Sequence, residues 1–349
     1  MITGEIWWGR LVNSVRFIDK VKDVLMDDKS VIMNFSHDIP WIDILTYTLE
    51  QHLAFMTDER SFEVHDVSEI SETPGEYLLR RFCNEAERKR YWPNKHKSYE
   101  RFLATNDNTT LNRRICCIVG IDASNAEAWL RSVTEYLENR DSDTRGVFIL
   151  VVKNFRTNES GMLGNINYSD YVTEYDRLML CLTLLSSEKC SSMQKQYVSE
   201  IATNIAGDNV ETAGLLASSG MALADDPFDT AFKVLKDNNI SVDDLKERVE
   251  YAVWKAQIKI VFPRLEELRR EIIQKYYDDI QECLPVKSNF GECIEKASEI
   301  EIGQLYYISS HHAFLDKSDY EKIVNMREAR NLLAHRDVLD RRQLNKLLS

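Results

Sequence analysis

The chain of 349 residues is poor in glycine (12) and proline (6). That scarcity excludes a collagen-like repeat, long linkers and extensive disorder. No CxxC pair occurs among its seven cysteines, Cys83, Cys116, Cys117, Cys181, Cys190, Cys283 and Cys293. The odd count and the missing pairs predict free thiols in a reducing cytoplasm, used as small apolar core filler. No run approaches the about 18 uncharged apolar residues of a membrane span. The opening Met-Ile-Thr-Gly-Glu lacks the basic and then apolar order of a signal peptide. A cytoplasmic protein without membrane contact is therefore expected. Positive charge is also short: Lys+Arg total 44 against 57 Asp+Glu, a net −13. A long-range field does not draw nucleic acid to such a chain, so any contact needs a local patch.

What is present is ordinary for a globular protein with ample core. Hydrophobic residues make up 44% and charged residues 29%. The length suits about two domains at roughly 100–200 residues each. The middle is the acidic part, with 12 acidic against 6 basic residues between 156 and 240. No internal repeat stands out.

The first 155 residues alternate between strand and helix patterns. Leu11, Val15, Ile18 and Val21 mark one face of a helix. Residues 30–33 form a short buried strand and 34–40 a loop. Residues 41–53 then read as a helix, with Asp38 as its cap and Pro40 near its first turn. Residues 62–65, 115–119 and 146–152 are further strands, and Ala126 to Leu137 is a helix. Apolar strands separated by helices predict a parallel sheet covered on both faces.

This order resembles the core of a P-loop ATPase of the AAA or STAND type. The resemblance places strand 30–33 before the phosphate-binding loop and makes Ile115 to Asp122 the second motif, an apolar strand ending in a magnesium-holding acid. The loop departs from that pattern. Phosphate cradling needs glycines, a lysine and a Ser/Thr for the metal. Here Asn34-Phe35-Ser36-His37-Asp38-Ile39-Pro40 has no glycine and no lysine, Pro40 has no N–H, and Asp38 repels phosphate. No GxxxxGK[ST] occurs elsewhere. A degenerate nucleotide-binding fold is expected, without ATPase activity, cofactor or metal. Asp122 then reads as a turn residue or cap ahead of Ala126, and His37 as an unassigned loop residue.

Residues 80–101 reverse the overall charge. Arg80, Arg81, Arg88, Lys89, Arg90, Lys95, Lys97 and Arg101 are interleaved with Tyr91, Trp92 and Tyr99. Cations for phosphates and rings for bases would suit single-stranded nucleic acid. The plainer reading is an insertion helix whose charges are solvated or face an acidic surface such as segment 156–240. Arg80, Arg81, Arg88, Lys89, Arg90, Trp92, Lys95 and Lys97 are the candidate contacts for nucleic acid or a protein partner.

The middle reads as helices over 171–186, 194–205, 209–218 and 228–236. Tyr175, Leu178, Met179 and Leu182 form an apolar stripe on the first. By resemblance this segment looks like the helical lid of AAA-type proteins. A long helix or helix pair follows from Val242 to about Tyr277, broken near Pro263, and then helices over 300–309 and 320–333. The last contains Arg330-Asn331-Leu332-Leu333-Ala334-His335. Arginine, a polar residue, three spacers and histidine resemble the R-x4-H motif of the HEPN superfamily, over roughly residues 245–349.

That resemblance implies a metal-independent ribonuclease with His335 as general acid/base, Arg330 as phosphate clamp and Asn331 as polar positioner. Five residues at about 100° each put Arg330 and His335 about 140° apart. One helix does not aim both at one phosphate, so catalysis implies a homodimer. In the alternative, Arg330 pairs with Glu328, Asp337 or another acid, and His335 caps the helix, where a cation is favoured. Adjacent His311 and His312, near Asp316 and Asp319, point to different faces and do not suggest a shared metal.

The expected fold is α/β plus all-α. A degenerate P-loop-type parallel sheet spans 1–155, a lid-like helical segment 156–240 and a HEPN-like bundle 241–349. By resemblance to antiviral-defence proteins of bacteria, the expected function is a non-enzymatic adaptor or regulatory subunit of such a complex. The alternative is a HEPN endoribonuclease using Arg330, Asn331 and His335 across a homodimer. A homodimer or larger protein complex is the expected assembly, with RNA as a partner under the alternative.

Overall fold

The computed structural model describes residues 2–54, 60–140, 144–155, 162–287 and 293–348. They fall into two compact units, Met1–Leu180 with Asp208–Glu211, and Cys181–Gly207 with Thr212–Ser349.

The first unit is built on strands whose side chains alternate between two apolar layers. Helices α1 (Ile2–Arg10) and α2 (Val12–Met26) precede β1 (Ser30–Phe35). Helix α3 (Ile42–Ala54) leads to β2 (Ser61–Asp66), and four short helices follow: α4 (Pro74–Phe82), α5 (Glu85–Arg88), α6 (Pro93–His96) and α7 (Tyr99–Thr105). Then come β3 (Arg114–Ile121), α8 (Ala126–Glu138), β4 (Val147–Lys153) and β5 (Leu163–Asn167). All pairs are parallel and the order is β2-β3-β4-β1-β5. Strands β1 and β4 are buried almost throughout, because helices cover both faces. Ile32, Cys116, Ile118, Phe148 and Leu150 pack with α4, α7 and α8. Phe35, one position out of phase with Ile32, meets Phe17 of α2 and Tyr168 on the other face. A five-stranded parallel sheet in this order is consistent with a P-loop-like unit.

The sheet has a discontinuity at the end of β3. Pairing with β4 shifts register between Ile118 and Ile121. Gly120 sits there at φ +81°, a conformation open to glycine.

The second unit is helical. It contains the end of α9 (Glu174–Leu184), then α10 (Ser192–Ala206), most of α11 (Val210–Ala217), α12 (Met221–Asp225) and α13 (Pro227–Asp237). Helix α14 (Leu245–Lys275) runs 31 residues through its centre. Helix α15 (Tyr277–Glu282), a short hairpin of β6 (Val286–Lys287) and β7 (Cys293–Ile294), then α16 (Ile302–His311), α17 (Lys317–Ala334) and α18 (Arg341–Leu348) complete it. One apolar cluster joins α10 to α18. Helices α10, α12 and α13 share this unit with the C-terminal helices, while most of α9 lies in the first unit.

Three local expectations are corrected. Helix α14 is not broken at Pro263; it continues through it, with the ring on the exposed side. The stripe on α9 does not face inward: Tyr175 is 70% and Met179 52% exposed, while Asp176, Leu180, Cys181 and Leu185 are buried. Asn34 and Phe35 belong to β1 rather than to the loop after it, because both pair in register with β4.

Candidate functional site

A P-loop-type fold places its ligand beyond the C-terminal ends of the strands, where helix N-termini offer free N–H groups to an anion. Here that position is occupied by the protein's own carboxylates. Asp38 is not the cap of α3; its carboxylate pairs with Lys153 at the end of β4. Trp41, at φ +43°, leads into α3, and its backbone N–H donates to the Glu211 carboxylate. The loop is pinned from below by Trp8, whose buried indole N–H donates to the Pro40 carbonyl at 2.8 Å. His37 stands 3.4 Å from Asp208, which Arg177 also reaches at 3.1 Å. The remaining cavity is about 370 Å³, lined by His37, Asp38, Asp208 and Glu211 among others. At an effective dielectric of about 20, a like charge about 4 Å away costs roughly 4 kcal/mol. A charged hydrogen bond returns about 1.5–3 kcal/mol. Asp38 and Asp208 are offset by Lys153 and Arg177, so the unbalanced like charge is that of Glu211, which also occupies the Trp41 N–H.

Asp122, the residue matching the second motif, is committed to a turn. Its carboxylate accepts from the Ser124 backbone N–H at 2.8 Å and from the Ser124 hydroxyl at 2.5 Å. Its own N–H donates to the Asn125 side chain at 3.0 Å, closing the entry to α8. The Ser124 hydroxyl, more than any other group, holds this carboxyl below the usual carboxylate range.

The basic stretch finds its acids locally. Arg80 pairs with Glu72 at 2.5 Å, Arg81 with Glu63 at 3.6 Å, Lys89 with Glu85 at 2.7 Å and Arg90 with Glu87 at 3.0 Å. None of these partners lies in segment 156–240, the acidic surface the sequence suggests. Arg88, Lys95 and Lys97 have no ion pair among the described residues. Tyr91 turns inward onto Tyr99, 4.5 Å away, and is no base platform. Trp92 is 67% exposed.

Arg330, Asn331 and His335 sit at the end of α17, and the structure brings only two of them together. Arg330 donates to the Asn331 side-chain carbonyl at 3.1 Å rather than pairing with Glu328 or Asp337. Both line a groove of about 1140 Å³ with Arg269, Arg327, Glu301 and Tyr306. Arg327 lies over the Tyr306 ring at 4.3 Å. His335 is the C-cap of α17; its backbone N–H donates to the Asn331 and Leu332 carbonyls, and its exposed side chain does not line the groove. The end of this helix is held by Trp254, whose indole donates to the Leu333 carbonyl at 2.9 Å. Asp316 and Asp319 bind Lys275, and no metal-holding cluster occurs among the described residues.

Sequence reading missed Glu211 and Lys153, because both lie far along the chain from the loop they complete. It also missed a buried group on β2. His65 is 4% exposed, with Nδ1 3.0 Å from the Tyr77 hydroxyl and Nε2 3.5 Å from Glu63. Burial, the largest effect, pushes its pKa down despite Glu63.

No family model matches the sequence, and no curated protein matches it. Among solved structures, PCH-2 of C. elegans is similar at a TM-score of 0.31 and 10% identity, over 63% of this chain and 73% of that one. At that TM-score the likeness supports no inference about this chain.

Proposed function

We propose that the α/β unit is a nucleotide-inert scaffold and that the chain works as a non-enzymatic adaptor or regulatory subunit. The observation that supports this is the Glu211 carboxylate on the Trp41 N–H. An internal anion stands where a phosphate oxygen would bind, at a helix N-terminus that favours negative charge. The test is thermal melting and calorimetry with magnesium and ATP or ADP. A ligand at about 100 times its Kd would add about 2.7 kcal/mol of stability. No heat and no shift at about 1 mM nucleotide is the expected result, which leaves Kd far above about 10 µM. Saturable binding would overturn it. Membership of an antiviral-defence assembly rests only on the resemblance of a degenerate P-loop-like sheet combined with a HEPN-like helical segment.

A second reading, a metal-independent ribonuclease, is favoured by one observation. Arg330 and Asn331 face an open groove carrying Arg327, while His335 lies outside it. The two ends of the motif reach one phosphate only if two copies pair. RNA incubated in EDTA with wild type and with His335→Ala decides: cleavage lost in the variant, at unchanged melting temperature, establishes the nuclease. Equal RNA integrity with both proteins removes it.

A further inference from the structure

Trp92 is an apolar knob on a rigid basic segment. Its side chain is 67% exposed, yet its backbone is fixed. The Trp92 N–H donates to His96 Nδ1 at 3.0 Å, Pro93 follows, and the preceding Tyr91 is stacked on His96 and packed on Tyr99. A backbone held this way loses little entropy on docking, and tryptophan and arginine dominate interface energies. Residues 88–97 hold five Lys/Arg and no Asp or Glu.

The helical unit carries a cavity of complementary character. It encloses about 580 Å³, with walls that include Tyr197, Met221, Phe228, Val253, Val338 and Leu344. Its floor has no unmet polar group at Gln257, which donates to the Tyr197 hydroxyl and the Leu339 carbonyl and accepts from the Leu339 N–H. An apolar ring fits such a floor better than a polar ligand does. The lining also includes five acids, Asp225, Asp226, Glu250, Asp337 and Asp340, against two cations, Arg336 and Arg341. Of these, Asp225 is neutralised by Arg341 at 3.2 Å.

We propose that Trp92 of one copy inserts into this cavity of a second copy, with Arg88, Lys95 and Lys97 set against Asp226, Glu250, Asp337 and Asp340. Knob and hole are different patches and each copy carries one of each, so association closes as a reciprocal pair or a ring, or grows as an open filament. A single ring in a pocket buries less than the about 1,200 Å² of a standard interface. The contact is therefore weak and reversible, and its charge complementarity makes it salt-sensitive. It does not depend on the adaptor reading.

The experiment is sedimentation velocity of the full chain across a concentration series. Wild type should associate with rising concentration, and about 1 M salt, with a screening length of about 3 Å, should reverse this. Trp92→Ala and Val338→Lys, both at exposed positions, should each remain monomeric with unchanged circular dichroism. Mixed together, they should form dimers and stop, because Trp92→Ala keeps the hole and Val338→Lys keeps the knob. A wild type that stays monomeric, a Trp92→Ala chain that associates like wild type, or a mixture without dimers would each overturn the proposal. Monomeric wild type would show instead that any occupant of the cavity is another molecule.

Discussion

Replacing Gly120 with alanine should cost the α/β unit about 2–3 kcal/mol. Gly120 stands in the register shift of β3 at φ +81°, where a Cβ carries a penalty of about 1–2 kcal/mol. The added carbon would also lie 2.6 Å from the Ser68 nitrogen and 2.6 Å from Asp66 Oδ1. Those two atoms are partners in a 2.9 Å hydrogen bond that turns the chain after β2. Forcing them aside loses roughly one further hydrogen bond, about 1 kcal/mol. Five of the six tryptophans (Trp7, Trp8, Trp41, Trp92 and Trp129) lie in this unit, so fluorescence in urea reads its unfolding. At an m-value of about 2 kcal/mol/M the midpoint should fall by about 1–1.5 M. Gly9→Ala is the control: that glycine lies in α1, and its added Cβ would meet nothing within 4 Å. It should stabilise by about 0.5–1 kcal/mol. A Gly120→Ala chain within about 0.5 kcal/mol of wild type would refute the reasoning, since surface changes alone give that much.

Three more outcomes are expected. Pro263→Ala in α14 should raise stability by about 1–3 kcal/mol in a thermal or urea melt, since an exposed proline inside a helix forfeits a backbone bond and packs against little. Glu266 has its carboxyl lowered to about 2 by hydrogen bonds, first from Arg269 and then from Arg270. Its contribution is full above the ordinary carboxylate value of about 4.3 and is lost as pH falls towards about 2. Urea midpoints read by circular dichroism should decline over that window, and Glu266→Gln should flatten the decline. Exposed Cys293 should react with a thiol reagent at once, whereas Cys116 and Cys117, the latter pushed up to about 12 by burial, should react only on unfolding.

The α/β elements were legible because local pattern decides them. Residues 31–33, 115–119 and 147–152 are apolar runs too short for helices and bounded by turns, and each is a buried parallel strand. The missing glycine and lysine in loop 34–40 likewise declared themselves without coordinates. The α9 stripe misled, since apolar spacing of period 3.6 marks a face but not whether a neighbour covers it. Pro263 misled for a related reason: continuity of α14 comes from the apolar cluster packed along it, a tertiary effect that outweighs one lost bond.

The sequence by itself determined strands β1 to β4 with the helices α3 and α8 between them, the absence of a phosphate-binding signature and the composition of the basic segment. Tertiary structure alone decided which carboxylate stands at the start of α3, because Glu211 lies 170 positions from Trp41 and no spacing rule spans that distance. It decided that Arg330 and Asn331 share a groove from which His335 is turned away. The helical period separates those side chains in angle, but only packing against α14 and α16 says which side is a cavity and which is solvent.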